Sequence, residues 1–364
     1  MLPRVAIIYL AYHSDDHLSD FVKSLSQMTY PRDLVDVVIV DNPHPEYGSG
    51  EEILRKTLEH IAQEGIIPRV HILPQHDNLG FSGGNNVGVA RARELGVKYV
   101  IFHNDDGYFA PDGVEELVRV MEHHPDIGIA QALLILDQEK QLVNTSGNAF
   151  HYLGFGLCEH YRTPRTALQA SGIRDIGYAS GAAMIVSRET IEQYGAWDAD
   201  FFMYHEDIDW SLRLLMRKKR VVVCYDALFF HKYDFSRSIS KFYYMERNRF
   251  AILLMYFRMK TLLLLIPMLL LLEMGMILFS WRSGTLRTRL AIYHYWLKPS
   301  HWRPWLRKRR AIQTTRQLND RALLERSVGK ILFQEAMVEH WLLIHVGNPV
   351  MELYRCILCR LVWW

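Results

Sequence analysis

Three oxygen-bearing side chains follow one another at the end of a predicted buried strand. Residues 97–102 are mostly β-branched and aromatic, which is typical of a strand inside a sheet, and Asn104, Asp105 and Asp106 come shortly after them. Gly107 then lets the backbone turn close to a ligand. Hard cations such as Mg²⁺ and Mn²⁺ prefer oxygen ligands and often bind carboxylates together with substrate phosphates. The cluster is therefore a candidate metal site, with an ordinary polar turn as the alternative.

A second acidic cluster lies at the front of a helix predicted over residues 201–215. Glu206, Asp207 and Asp209 precede or flank an apolar face typical of a packed helix. One of these carboxylates could take a proton from a substrate hydroxyl as a general base. Carboxylates in a first helical turn also cap the helix and interact favourably with its dipole, so both interpretations stay open from this segment alone.

Strands alternate with helices along the first hundred residues, which predicts a parallel sheet with ligands at the carboxyl ends of its strands. Asp41 and the acidic cluster after residue 102 both follow such ends. Farther along, a strand pair, an isolated strand and two short strands before His231 predict a mixed sheet. The predicted strands are 4–12, 35–40, 70–73, 97–102, 127–136, 141–145, 180–186, 221–224 and 227–230, and the early helices are about 18–25, 53–61 and 85–95.

A glycine-rich loop, NLGFSGGNN at residues 78–86, follows the third predicted strand. Its three glycines permit close approach of the backbone to a phosphate, and the next helix offers its positive end to an anion. The stretch has neither the GxxxxGK[ST] pattern of a P-loop nor the GxGxxG pattern of dinucleotide enzymes. We expect another kind of nucleotide site here.

The composition is that of a globular protein: 364 residues, 49% hydrophobic and 23% charged. Four cysteines do not make a disulfide framework in a chain of this length, and no signal segment opens the sequence, so we expect a reducing cytosol. The formal charge of +2 is unevenly spread, because residues 282–310 are rich in Arg and Lys. The basic residues flank apolar helices, and we expect no nucleic-acid partner.

Residues 251–281 are apolar and raise the question of a membrane. Lys260 and Glu273 bracket only twelve residues, with Pro267 among them, whereas a span needs about 20 apolar residues. We expect helices that lie in the membrane interface, with a transmembrane helix reaching Phe279 as the alternative. The Trp-rich basic stretch at 287–310 suits anionic head groups. Packing on the catalytic domain or on a second subunit is a further alternative.

Taken in order, these stretches resemble the inverting family 2 glycosyltransferases of GT-A fold, particularly the bacterial branch that includes rhamnosyltransferases. The resemblance covers roughly residues 4–250 and rests on VAIIYLAYH, VVIVDN, DNLGFSGGNNVGVARA, HNDDGYFAPD, SGAAMIVSRETIEQYGAWDADFFMYHEDIDWSLRL, His231 and YYMERNR. It implies an α/β fold with a Rossmann-like mixed central sheet flanked by helices at 1–250. Residues 251–364 would form a helical, membrane-associating extension.

The resemblance also implies roles for particular residues. Asn104 and Asp106 would occupy the ends of the family's DxD motif and, with His231, hold Mn²⁺ or Mg²⁺; the sequence departs from DxD by starting with Asn104. Asp207 would be the catalytic base, with Glu206 as its local competitor. The nucleotide-sugar site would comprise Ala11, Tyr12, Asp41 (at the base), Asn78, Gly80, Phe81, Gly83, Gly84, Asn85 and Asp105, and the acceptor side Gly181, Tyr204, His205 and Arg247.

The implied activity is transfer of a sugar from a UDP- or dTDP-sugar to a glycan hydroxyl, with a lipid-linked acceptor, at the cytoplasmic face of the cell membrane. Inverting transfer needs one base at the acceptor and a positive charge at the departing diphosphate, which these residue types supply. A nucleotidyltransferase is one rival, but it should have a basic, glycine-rich signature near the first strand, and LAYHSDD has none. A catalytically silent GT-A scaffold is the other.

Overall fold

The computed structural model describes residues 2–13, 15–168, 170–233, 242–331 and 341–364. The chain divides into two compact units. Unit 1 comprises Met1–Asn148, Cys158–Leu214 and Lys219–Tyr233, and unit 2 comprises Ala149–Leu157, Leu215–Lys218 and Asp234–Trp364. The domain boundary predicted between residues 250 and 251 stays a prediction.

A mixed sheet forms the centre of unit 1, in the order β10-β12-β6-β11-β4-β1-β2-β3. Strands β3, β2, β1 and β4 are parallel, β11 runs antiparallel between β4 and β6, and β12 is parallel to β6. The short β5 pairs with β12, and β7 pairs with β6. The strands are β1 Val5–Ala11, β2 Val35–Asp41, β3 Arg69–Pro74, β4 Tyr99–Asn104, β5 Gly107–Phe109, β6 Ile127–Leu136, β7 Val143–Thr145, β8 Asn148–Phe150, β9 Gly156–Cys158, β10 Ile173–Asp175, β11 Ala183–Ser187 and β12 Arg220–His231.

Continuous apolar runs make the central strands. Every residue of β1, β2 and β6 is buried, as expected where helices cover both faces of a sheet. The predicted mixed α/β sheet is confirmed. The helices of unit 1 are α1 Leu18–Gln27, α2 Glu51–Gln63, α3 Gly80–Glu94, α4 Gly113–His123, α5 Arg188–Tyr194 and α6 Glu206–Leu215.

The glycine-rich stretch is mostly helix, so its prediction as a loop up to about Asn85 is wrong. Helix α3 begins at Gly80, where the Asn78 side chain accepts a hydrogen bond from the Gly80 amide (2.8 Å). Glycine disfavours helices, but a Cβ at Gly84 would lie 2.4 Å from Leu10 Cδ1, and one at Gly88 2.5 Å from Ile8 Cγ2. Contact with β1 therefore requires these glycines, and packing outweighs propensity.

Two other predictions of elements differ from the structure. Residues 221–230 belong to one strand, β12, with a register shift between Cys224 and Leu228 where two short strands were predicted. The stretch between the predicted strands 141–145 and 180–186, in which no strand was predicted, contains β8, β9 and β10. The single β12 differs from the prediction because a β-bulge lets a strand continue through polar residues. A simple alternation pattern predicts that a strand ends at such residues.

Unit 2 consists mainly of helices in its described residues. Helix α8 passes through Pro267 without ending, and among the described helices it is the one long and apolar enough to cross a membrane by length and composition. The helices are α7 Phe242–Tyr256, α8 Met259–Arg282, α9 Leu286–Leu297, α10 Pro299–Thr315, α11 Asp320–Arg326 and α12 Asn348–Leu361, which follows a π-helical stretch at Leu343–Gly347.

A buried ionic cluster connects three helices of unit 2. Glu246 on α7 accepts hydrogen bonds from Arg289 Nη1 (2.7 Å) and Arg249 Nη2 (3.1 Å). Glu273 on α8 contacts the same two arginines and accepts from the Tyr293 hydroxyl (2.6 Å). Both arginine side chains are fully buried, so each carboxylate compensates a charge that has lost its water.

Candidate active site

The parallel register brings the predicted polar residues to one edge of the sheet. Ala11 lies opposite Asp41, and Leu10 opposite Asn104, at the carboxyl ends of β1, β2 and β4. The Asn104 amide donates to the carbonyl of Ala182 (2.8 Å), just before the antiparallel β11. The start of β11 therefore lies at this same edge.

The two adjacent carboxylates after β4 point to different partners. Asp105 Oδ2 accepts a hydrogen bond from the amide of Tyr12 (3.2 Å), and its carbonyl accepts from the Tyr9 hydroxyl (3.2 Å). Asp106 Oδ1 lies 3.1 Å from Nε2 of His231. Asp105 thus fixes the loop after β1, and Asp106 faces the end of β12; the roles predicted for Asp105 toward the nucleotide sugar and for Asp106 toward a metal stay predictions.

His231 is buried and held at both ring nitrogens. Its Nδ1 lies 2.8 Å from Oδ1 of Asn144, a residue that the sequence analysis missed. The backbone also fixes this corner, because the Lys232 amide donates to the carbonyl of Asp106 (2.7 Å). The Asn144 contact could not be found from spacing, since 87 residues separate the two side chains along the chain.

Asp106 Oδ1 and His231 Nε2 are 3.1 Å apart, which is about the distance between two ligand atoms of one metal ion. The two side chains therefore fit a divalent cation. Among the described residues, no group of three or more His, Cys, Asp or Glu side chains could hold a metal. A cation here would need further oxygens, and a nucleoside diphosphate carries them.

Asp41 and Asn42 hold the loops around the edge. Asp41, which is buried, accepts from the Ser49 hydroxyl and from the Gly50 amide (3.1 Å). The Asn42 side chain donates to Asn78 Oδ1 (2.9 Å) and accepts from the Leu79 amide (2.8 Å). Contact of Asp41 with a nucleotide base stays a prediction; in the structure its two oxygens position the chain before α2.

Four aromatic rings lie close together in the loops that follow β1 and β2. Tyr12 and His44 have ring centroids 4.9 Å apart, and His13 stacks on Tyr47 at 4.1 Å. Tyr47 is 63% exposed. Sequence patterns did not single out His13, His44 or Tyr47, because their proximity depends on the close approach of two loops.

The remaining predicted nucleotide residues belong to the first two turns of α3. The Asn85 side chain donates to the carbonyl of Phe81 (3.0 Å), and a Cβ at Gly83 would lie 2.9 Å from the Leu79 Cβ. The Phe81 ring packs against Gly181, where a Cβ would lie 2.9 Å from it. These residues have clear packing roles, and their contact with a nucleotide sugar stays a prediction.

Asp207 is half-buried at the start of α6. Burial raises the pKa of its carboxyl to about 7, and amide hydrogen bonds, including those of Ile208 (2.8 Å) and Gly181, oppose part of that rise. The bond to Gly181 connects Asp207 with the edge at Ala182 and Asn104. A carboxylate with a pKa near neutrality, at the edge where ligands are expected, suits general base catalysis.

The other two acids of the cluster are more enclosed. Burial, and then repulsion from Asp207, raise the pKa of Glu206 well above its ordinary value, and among the described residues its Oε2 has no hydrogen-bond partner. Asp209 accepts from Arg213 Nε (2.9 Å), whose terminal nitrogens donate to the carbonyls of Tyr194 and Ala196. Asp209 therefore has a structural role, and Asp207 is the most accessible of the three carboxyls.

The backbone before α6 adopts a costly conformation. Phe202, Tyr204 and His205 have φ angles of 65°, 63° and 69°, in the left-handed region that non-glycine residues rarely adopt. Such strain costs about 1–3 kcal/mol per residue and is concentrated at functional sites. The two predicted acceptor-side residues Tyr204 and His205 thus stand in a strained segment next to Asp207.

Arg247, the remaining predicted acceptor-side residue, belongs to α7 in unit 2. Its guanidinium lies over the rings of Tyr244 (5.2 Å) and Tyr295 (5.6 Å), and its Nε donates to Asn248 Oδ1 (2.8 Å). Its role toward an acceptor stays a prediction.

A cavity of about 1000 Å³ lies away from these residues, at the amino ends of β2 and β3. Its lining includes Tyr30, Arg32, Asp36 and Arg69. Ligands of such sheets bind at the carboxyl ends, so this cavity does not mark the active site.

Carboxylates and polar loops at the carboxyl ends of the strands of a mixed α/β sheet are the arrangement expected of an enzyme that transfers a group from a nucleotide. The chain belongs to the family described as glycosyltransferase like family 2, whose model matches residues 3–251. The predicted family is confirmed, and the protein is a family 2 glycosyltransferase.

Relatives and a solved structure agree with this assignment. The chain is 26% identical over 259 residues to a low-salt glycan biosynthesis hexosyltransferase, Agl10, of Haloferax volcanii, covering 69% of this chain and 75% of the relative. It is 27% identical over 235 residues to the N-acetylglucosaminyl-diphospho-decaprenol L-rhamnosyltransferase of Mycobacterium tuberculosis, covering 59% of this chain and 70% of that relative. The structure of GalNAc-T7, solved with UDP, GalNAc and Mn²⁺, matches with a TM-score of 0.53 at 14% identity. The match covers 64% of this chain and 44% of GalNAc-T7. The GT-A fold is confirmed.

The buried acid predicts a pH-dependent stability. Because folding raises the pKa of Glu206, the folded state keeps a proton that the unfolded state releases, and the free energy of unfolding falls as pH rises above the unfolded value near 4.5. Glu206→Gln removes the ionisable carboxyl, and with it this fall in the free energy of unfolding at high pH. We expect the variant to be more stable than the wild type at pH 8 and nearly equal at pH 4, as measured by urea unfolding.

Glu52→Gln, on the exposed surface of α2, controls for the loss of one negative charge. An equal gain from Glu52→Gln and Glu206→Gln at pH 8 would show that burial of Glu206 is not the cause.

Proposed function

We propose that the protein transfers a sugar, with inversion, from a UDP- or dTDP-sugar to a hydroxyl of a lipid-linked glycan. The observation that carries the proposal is the placement of the Asp207 carboxyl, which accepts from the Ile208 amide (2.8 Å) at the start of α6, at the sheet edge where Asp106 faces His231 (3.1 Å); the raised pKa of Asp207 agrees with it. The names of the relatives, a glycan-biosynthesis hexosyltransferase and a rhamnosyltransferase for a decaprenol-linked sugar, support the choice of donor and acceptor.

In this proposal Asp207 takes the proton of the acceptor hydroxyl on a carboxylate oxygen. The hydroxyl oxygen forms a bond to the anomeric carbon while the bond to the diphosphate breaks on the opposite face, so the configuration inverts. A single carboxylate is sufficient because the diphosphate can depart without a proton from a second carboxyl, unlike the sugar oxygen that leaves in a glycosidase. The amides of Ile208 and Gly181 keep the Asp207 side chain oriented before and after the transfer.

Asp106 and His231 would hold Mn²⁺ or Mg²⁺, which would offset the charge of the departing diphosphate. A nitrogen ligand suits transition metals better than Mg²⁺, so the pair favours Mn²⁺. The Mn²⁺ and UDP in the structure of GalNAc-T7 are consistent with this choice.

Unit 2 would associate with the membrane through an apolar surface on α8 and α12. Large apolar residues of α8, such as Leu263, Leu270 and Met274, are each more than 60% exposed and repeat at helical spacing on one face. Helix α12 packs beside α8, since the Tyr354 hydroxyl donates to the Leu264 carbonyl (2.6 Å). Soluble proteins rarely expose large contiguous apolar surfaces, and the decaprenol-linked substrate in the name of one relative points to a bilayer.

The ionic cluster favours α8 lying in the interface of the cytoplasmic leaflet over a span. Glu273, near the middle of α8, contacts Arg249 and Arg289, so a spanning α8 would bring these charges to the bilayer centre. One arginine there costs about 2.5–3.5 kcal/mol on insertion scales. In an interfacial position, the cluster stays on the protein side of the helix. A second subunit on the same surface is the alternative.

The metal assignment is tested with Asp106→Ala. Loss of a hard oxygen ligand should reduce the affinity for UDP in Mn²⁺ to the value without metal, because few other protein ligands exist. Calorimetric titration of UDP with and without Mn²⁺ gives the two affinities.

Asp105→Asn is the matched control, since its side chain can still accept from the Tyr12 amide. The Mn²⁺ enhancement is the gain in UDP affinity on adding Mn²⁺. The assignment fails if Asp106→Ala keeps this enhancement, and Asp105 is the metal ligand instead if Asp105→Asn alone loses it.

The catalytic base is tested with Asp207→Asn. The amide keeps an oxygen for the Ile208 amide but cannot take a proton, so turnover should fall about 10²- to 10⁴-fold with little change in stability. Wild-type kcat at saturating donor and metal should rise with pH through about 7, as Asp207 loses its proton. Product formation from donor and lipid-linked acceptor panels is followed by mass spectrometry.

Glu206 is the competing candidate for the catalytic base, and Glu206→Gln tests it. If it abolishes turnover while Asp207→Asn remains active, Glu206 is the base. If both variants remain active, the acidic cluster is structural, and binding of donor without turnover in the wild type would identify a silent scaffold.

Membrane association is tested with the triple substitution Leu263→Gln, Leu270→Gln and Met274→Gln. Removing three exposed apolar side chains should weaken binding to vesicles of anionic lipid, measured by flotation, because binding scales with buried apolar area. Ile53→Gln with Ile66→Gln, on exposed sites of unit 1, is the control.

Carbonate extraction then separates the two membrane arrangements. Release of the wild type at alkaline pH supports an interfacial helix, whereas retention indicates a span. Undiminished flotation of the triple variant would place the membrane contact elsewhere, and concentration-dependent dimers lost in that variant would favour a second subunit.

A further inference from the structure

Asn144 occupies an irregular position in the sheet of unit 1. In the pairing of β7 with β6, Leu134 faces Thr145 and Ile135 faces Val143, which leaves Asn144 as an extra residue. This arrangement is a β-bulge, a feature that redirects a side chain and is frequent next to active sites. The Asn144 side chain is buried at 2% exposure, and it points at a residue of the proposed metal pair.

The bulge is held in place from its other side. The Val143 amide donates to the carbonyl of Thr163 (3.0 Å), and the Arg162 amide donates to the carbonyl of Val143 (2.8 Å). The backbone of β7 therefore cannot easily slip by one residue to regular pairing. Its rigidity fixes where the Asn144 amide can reach.

The contact of Asn144 determines which nitrogen of His231 carries the proton. Asn144 Oδ1 is an acceptor, so at 2.8 Å it requires a hydrogen on Nδ1 of His231. A neutral imidazole then has its lone pair on Nε2, which is the nitrogen that faces Asp106 Oδ1 at 3.1 Å. Two acceptors in contact repel each other unless a positive charge lies beside both. A shared cation satisfies the pair, as does a second proton that makes the His231 ring itself a cation, whereas a hydrogen bond between Asp106 and a neutral ring protonated at Nδ1 does not.

We propose that Asn144 is a positioning residue that orients His231 and holds it in the tautomer able to bind the cation shared with Asp106. The inference rests on the proposed function, because it needs a cation at that pair. Ligating histidines generally donate their second N–H to an oxygen that fixes the ring, and loss of that partner costs about 10- to 100-fold in metal affinity. Asn144, on a bulge of another strand, supplies this oxygen here.

Asn144 acts through His231 in this proposal, so the effects of the two residues should not add. Asn144→Leu keeps a similar volume without the acceptor, and the Mn²⁺ enhancement of UDP affinity should fall about 10- to 100-fold. Asn144→Asp retains an acceptor oxygen and should keep the enhancement. In a His231→Ala background, Asn144→Leu should cause no further loss, because the residue it orients is absent.

The tautomer is measured directly as a second readout. In protein labelled with ¹⁵N-histidine, the His231 ring nitrogens are assigned by comparison with His231→Ala. The wild type without metal should show no neutral ring protonated at Nε2, and Asn144→Leu should populate that form. Thermal unfolding of each variant reports whether the fold is retained.

The outcomes separate the inference from the proposed function. UDP binding that does not depend on Mn²⁺ in the wild type overturns both the metal site and the role of Asn144. Mn²⁺-dependent binding that survives in folded Asn144→Leu overturns the role of Asn144 alone. If Asn144→Leu reduces the Mn²⁺ enhancement equally with and without His231, its effect is one of general packing. If the neutral wild-type ring is protonated at Nε2, the Asn144 amide donates to His231. Either result overturns the inference.

Discussion

The contact between Asp106 and His231 joins two strand ends that are 125 residues apart in the sequence. It exists because the antiparallel β5 pairs with the end of β12, where Gly107 lies opposite His231. A Cβ at Gly107 would lie 2.2 Å from the Phe229 ring, so the turn after Asp106 can approach β12 only with glycine there. The glycine after the acidic cluster thus serves strand pairing, and the pairing brings the carboxylate to the imidazole.

The site concentrates features that disfavour folding. Two adjacent carboxyls, Glu206 and Asp207, lose much of their hydration, and Phe202, Tyr204 and His205 adopt the left-handed conformation just before them. Each feature costs free energy that the rest of unit 1 must offset. The continuous burial of β1, β2 and β6 supplies that stabilisation, which is why two carboxyls with raised pKa values can be maintained at this edge of the sheet.

The sequence predicted what depends on local pattern and missed what depends on distant contacts. Buried strands and acidic strand ends have strong local signals, so β1, β2 and the cluster at Asp105 and Asp106 were found. Helix α3 was predicted to start too late, because its glycines are selected by contact with Leu10 and Ile8. Asn144 carried no signal at all, since its role arises from a bulge in a three-residue strand.

With Asp106 and His231 as its protein ligands, Mn²⁺ or Mg²⁺ would not be held tightly, and such a site would have a functional consequence. Such ions take six or so ligands, so a cation at Asp106 and His231 would need phosphate oxygens to complete its coordination. Cation and nucleotide would then each raise the affinity for the other by the same factor, as linkage requires. A site of this kind assembles its positive charge only when a diphosphate is present, and it loses that charge again as the product leaves. The support of His231 by Asn144 would compensate for the small number of ligands, because the ring would need little further ordering when a cation binds.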